Sequence, residues 1–237
     1  MAQARSYNSR LAHALGTCLA GGDPRALSAW LDRLSVAEFR AAGSLLGDRL
    51  LPELPSDQFW AYFVEIVPAD RKAYLGTFLK AAARMVAAGT LDLNDPRLAQ
   101  FLRQATPIDC SKTLEALLPV IHDGMQAEKL LRAMGQGRDI DFAPLLLKVG
   151  TPESYYLLFN QLRRGEADKD RLRLYSIQLL KKGDQLSLNM AAIIRQYFDI
   201  ADLPATLSLK LPPYAFSRLD ASHEAFIHIL KGIYTPI

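Results

Sequence analysis

Helix-start signals recur along this chain at short intervals, and almost nothing in it alternates with the period of a strand. Asp23-Pro24, Ser35-Val36-Ala37-Glu38, Thr106-Pro107 and Thr151-Pro152-Glu153 each put a side-chain acceptor just ahead of an apolar run. Proline or an acid then follows in the first turn, where the backbone N–H groups have no partner inside the helix. A chain punctuated in this way buries its apolar stripes by packing helix on helix.

The spacing predicts helices over residues 6–19, ended by Gly21-Gly22; from Pro24 through Trp30 and Leu34; and from Ser35 to about residue 51. Ser56 is placed to cap the aromatic run that follows. Pro68 opens the next helix, in which Leu75, Phe78, Leu79, Ala82, Met85 and Val86 share a face. Asn94-Asp95-Pro96 leads into 97–104, Thr106-Pro107 precedes 112–122, and 126–134 runs into Gly135-Gln136-Gly137. Pro119 should kink or end its helix, whereas Pro144 fits the first turn of 142–149. Helices over 151–165 and 169–182, one capped by Ser187, and one over 222–230 complete the set. The exception is 204–213, where Leu207, Leu209 and Leu211 alternate with polar residues before two prolines, as a short strand or as an extended arm packing its leucines on helices.

About a dozen helices of roughly 8 to 20 residues joined by short turns imply an all-α protein. The arrangement expected is an irregular α-solenoid-like array of stacked helical pairs, with a compact multi-helix bundle as the alternative. The similar starts at Thr106-Pro107 and Thr151-Pro152 fall within the range of two- or three-helix repeats, although no apolar signature repeats with them. Residues 1–237 read as one helical domain or two tightly packed subdomains. A soft boundary lies near 104–111, without a Gly/Ser or charge-rich linker.

Half of the 237 residues are hydrophobic, enough for a substantial core, and 28 Lys and Arg nearly balance 25 Asp and Glu for a net charge of +3. No basic arm for nucleic acid stands out. The apolar stretch after the N-terminal arginines is interrupted by His13 and Thr17, unlike a secretory signal, and no run approaches the roughly 20 residues needed to cross a bilayer. The expectation is a cytoplasmic chain with no membrane contact. Cys18 and Cys110 lie far apart, outside any CxxC pair, and read as two reduced thiols in or near the core.

Catalytic patterns fail on spacing. In His223-Glu224-Ala225-Phe226-Ile227-His228 the histidines are five apart, which turns the second about 140° around the helix from the first, so they do not share a face as a zinc pair must. His13 and His122 add no ligand spacing, and the two cysteines cannot assemble a local thiolate site. Gly135-Gln136-Gly137 follows a helix, not a strand, so it is not a phosphate cradle, and there is no GxSxG elbow. Asp109, Glu115, Asp139 and Asp141 sit where helix-start acids are ordinary. No catalytic residue, cofactor or metal is assigned, and an enzyme would need a site assembled from distant residues.

Two features suggest partners. Arg163, Arg164, Lys169, Arg171, Arg173, Lys181 and Lys182 crowd residues 163–182 against Glu166, Asp168 and Asp170. They form an alternative patch for an anionic partner, although Arg163-Arg164 and Lys181-Lys182 also suit helix C-termini. Trp60 and Tyr156 fall off the apolar stripes of their helices and are candidates for inter-helix or partner contact. Leu207, Leu209 and Leu211 would join them if the arm docks on a second copy. The expected function is a protein-binding or scaffolding module for a protein or peptide, the homo-oligomer included. A nucleic-acid-associated accessory protein using 163–182 is the alternative from another class.

Overall fold

The computed structural model describes residues 2–67, 73–135, 141–165, 168–200 and 211–233, with side chains from residue 9 onward. The protein is all-α: about fourteen α-helices and no strand among the described residues. Its contacts divide it into two units, Met1–Val120 with Lys129–Arg138, and Ile121–Glu128 with Asp139–Ile237. None of the described helices is long and apolar enough to cross a membrane.

The first unit contains α1 (Ala2–Ala20), α2 (Pro24–Leu31), α3 (Val36–Leu45), α4 (Ser56–Ile66), α5 (Leu75–Ala87), α6 (Pro96–Gln104) and α7 (Pro107–Leu117). Asp23 caps α2 by accepting from the Arg25 N–H, and Ser35 with Glu38 closes the capping box of α3. Thr106 forms another box with Asp109, so α7 begins earlier than the apolar spacing suggests. It ends in a 3-10 turn, Leu118–Val120, that accommodates Pro119. Ser56 does not cap α4: Pro55 holds the cap position, and the Ser56 hydroxyl instead accepts from the Asp92 N–H at 3.1 Å. The expected start at Pro68 lies outside the described residues.

The core of this unit is aromatic. Phe63 of α4 meets Phe78 of α5 at 5.7 Å and Phe101 of α6 at 4.8 Å between ring centroids, both edge-on, the arrangement favoured by the ring quadrupoles. Where α3 was expected to continue, the chain widens into a π-helical turn, Leu46–Leu50. Ser44, Lys80 and Arg84 converge there on Asp48, whose carboxylate lies 2.6 Å from both cations. The Lys80 hydrogen bond leads in holding the Asp48 carboxyl below its ordinary value. Gly47 lets the turn approach α5 so closely that an added Cβ would stand 3.0 Å from the Thr77 carbonyl oxygen.

The chain passes through α8 (Gly124–Gly135) into α9 (Ala143–Val149), α10 (Pro152–Arg164), α11 (Lys169–Lys182), α12 (Gln185–Tyr197), α13 (Pro213–Phe216) and α14 (His223–Leu230). In the second unit α11 packs along α12, and α10 packs on α9 and α14. Two joints use one device: Gly150 ends α9 and Gly183 ends α11 in the left-handed region, at φ 69° and 72°, and each is followed by a capped helix start. Thr151 caps α10 as expected, whereas the cap of α12 is Asp184 and not Ser187. Phe226 stacks on Phe159 at 5.1 Å, and Tyr197 meets Phe159 edge-on at 4.9 Å.

Candidate protein-interaction surface

α11 is amphipathic with apolar residues on both sides. At 100° per residue, Leu172, Tyr175, Ser176 and Leu179 share one side, and all four are buried. Asp170, Leu174, Ile177, Gln178 and Lys181 share the opposite side, and all are exposed. Leu174 is 52% and Ile177 42% accessible, one helical turn apart and in contact range of a single partner helix. Arg171 and Arg173 flank this stripe on its two edges. The helix carries five basic residues against one acidic.

The basic block is divided among several tasks. Arg163 donates to Asp220 at 2.6 Å, and Asp220 also accepts from the Tyr197 hydroxyl. Arg164 lies 3.8 Å from Glu128, and Arg173 pairs with Asp170 at 3.0 Å. Lys182 folds inward: its ammonium donates to the Leu147 and Lys148 carbonyls at the end of α9 and lies 5.8 Å from the centre of the Tyr155 ring. Burial lowers its pKa. Lys169, Arg171 and Lys181 are exposed on α11.

Trp60 is only 1% accessible and donates its indole N–H to the carbonyl of Asp92, in the loop between α5 and α6, at 3.0 Å. Tyr156 is half-buried. Its ring meets His223 edge-on at 4.7 Å and Phe226 at 5.6 Å, and its hydroxyl donates to Glu128. Leu211 is buried against its own chain, with its backbone N–H and carbonyl both bonded to the Gln196 side chain. Leu207 and Leu209 lie outside the described residues.

A polar chain, buried at Tyr155 and Ser187 and exposed at Asp184, joins α10 to α12. Ser187, with no exposed surface, donates its only proton to Asp184 Oδ2 at 2.6 Å and therefore accepts the Tyr155 hydroxyl at 2.7 Å. Its position and bonding fit a structural joint, not a nucleophile. Burial leads in raising the Tyr155 phenol, so it stays a donor. Among the described residues no group of three or more His, Cys, Asp or Glu could hold a metal ion.

Sequence reasoning passed over Leu174 and Ile177. The signal available was their displacement from the Leu172–Tyr175–Leu179 stripe, the same displacement that singled out Trp60 and Tyr156. No protein-family model, curated protein or solved structure matches the chain.

Proposed function

We propose that this chain is a protein-binding module whose α11 outer face engages an acidic amphipathic helix of a partner. The observation that carries the reading is the exposed pair Leu174 and Ile177, bordered by the exposed Arg171 and Lys181. Two apolar anchors one turn apart match the apolar face of a partner helix, while the surrounding cations favour carboxylates beside that face and set its direction. A dedicated phosphate track is less well supported, because Arg163, Arg164, Arg173 and Lys182 already meet acceptors of the chain.

The test compares capture from a lysate by the full chain and by a Leu174→Asp/Ile177→Asp variant. Both positions face solvent, so the folding stability of the variant should stay within about 0.5 kcal/mol of the parent. The reading expects a protein that survives washing at about 1 M salt, where screening acts within roughly 3 Å, and that the variant fails to retain. Equal capture by the two proteins refutes it. Nucleic acid held only at low salt, and equally by the variant, would move the assignment to the basic residues.

A further inference from the structure

The outer face of α11 carries a seam. Asp170, Leu174, Ile177 and Lys181 follow one another at spacings of four, three and four, the spacing by which one helix meets another along its length, and all four are exposed. Leu174 and Ile177 form the middle of the seam, and an acid and a base close its ends. The Asp170 side chain is 84% exposed even with Arg173 at 3.0 Å, so a second cation can still reach its carboxylate.

The order acid, apolar, apolar, base is complementary to itself read backwards. In an antiparallel pair of identical helices a two-fold axis relates the copies, so that where residue i meets residue j, j also meets i. With that axis midway between Leu174 and Ile177, each Leu174 meets Ile177 of the second copy and each Asp170 meets Lys181 of the second copy. Every layer is then apolar on apolar or acid on base. A parallel pair in register would instead set Asp170 on Asp170 and Lys181 on Lys181, a like-charge arrangement that opposes binding. Of the five cations of α11, Arg173 is already engaged by Asp170 and Lys182 by the carbonyls at the end of α9.

We infer that a second copy of the chain docks on this seam, forming an antiparallel homodimer through α11. The inference rests on the reading of the outer face of α11 as a docking surface and gives that face an occupant besides the acidic helix. The two occupants exclude each other, because both cover Leu174 and Ile177. From Asp170 to Lys181 the seam spans about 16 Å at 1.5 Å per residue, and four layers make an interface of the small, transient class. Lys169 and Arg171 stand on both copies and limit the affinity further, which favours the acidic helix where one is present.

The experiment joins sedimentation equilibrium of the full chain, at concentrations up to about 1 mM, the weak end of measurable association, to zero-length carbodiimide cross-linking with peptide mass spectrometry. A reversible monomer–dimer equilibrium is expected, with an amide between Asp170 and Lys181 confined to the dimer. The two side chains start about 16 Å apart on one helix, so a zero-length link between them joins two chains. Leu174→Asp/Ile177→Asp should weaken the dimer at least tenfold. Asp170→Lys or Lys181→Asp alone should weaken it several-fold, and Asp170→Lys/Lys181→Asp should restore it, because the pairs are only exchanged. If that double variant loses helical signal by opposing the helix dipole, Lys181→Arg tests the same register: it keeps the dimer and loses the cross-link. The inference is overturned by a parent that stays monomeric throughout, by a dimer that survives Leu174→Asp/Ile177→Asp, or by charge reversals that leave the affinity unchanged. A monomeric parent that still captures an acidic partner sinks the self-pairing alone, whereas a dimer that captures none sinks only the acidic-helix reading.

Discussion

The Tyr155–Ser187–Asp184 chain makes a quantitative prediction, because its proton order follows from counting donors. Ser187 has one proton and gives it to Asp184, so Tyr155 must donate to Ser187. Tyr155→Phe leaves the ring in place and deprives Ser187 of a donor it can do without, for a cost of about 1 kcal/mol. Ser187→Ala does more: it strands the Tyr155 hydroxyl in a site with no exposed surface and removes a bond to a carboxylate. That cost is about 2–3 kcal/mol. In the double variant no hydroxyl is stranded, so its cost should return to about 2 kcal/mol instead of the sum of the two, a coupling of about 1–2 kcal/mol. Both tryptophans, Trp30 and Trp60, belong to the first unit, so their fluorescence is the wrong probe. Urea unfolding followed by far-ultraviolet circular dichroism, with hydrogen exchange of the α12 amides, reads the second unit directly. Additive costs within about 0.5 kcal/mol would refute the proton order and the network built on it.

Gly150→Ala forces a side chain into a left-handed residue and puts its Cβ 2.6 Å from the Lys182 ammonium, so a loss of about 1–2 kcal/mol is expected in the same urea assay. Gly16→Ala and Gly47→Ala should have opposite signs. The first lies inside α1 with nothing within 4 Å of an added Cβ and should gain up to about 1 kcal/mol, while the second meets the Thr77 carbonyl and should lose stability. In acid, stability should fall as pH drops through the ordinary aspartate value of 3.8, because Asp48 and Asp95, held low chiefly by hydrogen bonds from Lys80 and Arg97, are ionised in the folded chain to lower pH than in the unfolded one. In alkali the sign reverses: burial raises the phenols of Tyr62, Tyr74, Tyr155, Tyr175 and Tyr197, so stability present below pH 10 should be lost above it. Phenolate absorbance at high pH should then rise in step with unfolding, and early ionisation of these five in a folded chain would contradict the assignment.

Helix starts were legible wherever one acceptor stood alone before an apolar run. Asp23, Ser35, Thr106 and Thr151 all cap the helices that follow them, because a short oxygen-bearing side chain in extended backbone satisfies an N–H two or three residues on. Ser187 was misread because Asp184 stands three residues earlier and its carboxylate is the stronger acceptor, so the serine became the donor in the pair. Ser56 was misread because its hydroxyl bonds the distant Asp92 backbone. The π-turn at Leu46–Leu50 had no local signature, since what holds it is Lys80 and Arg84 on α5 together with the space left by Gly47.

The candidate surface was less legible than the helices, for a reason set by tertiary packing. A run of cations counts charge along the chain, but the field a partner meets depends on what each cation touches. Arg163 finds Asp220 across 57 positions of sequence, and Lys182 turns its charge onto the end of another helix, so neither adds much to the surface that its position in the run implies. Apolar residue type misleads in the complementary way. Residue type credits Leu174 and Ile177 to the core, although their displacement from the Leu172–Tyr175–Leu179 stripe puts them on the side the helix leaves exposed. Exposure therefore sets two apparent core residues on the outer face of α11, and pairing reduces an apparent basic patch to the few cations beside them.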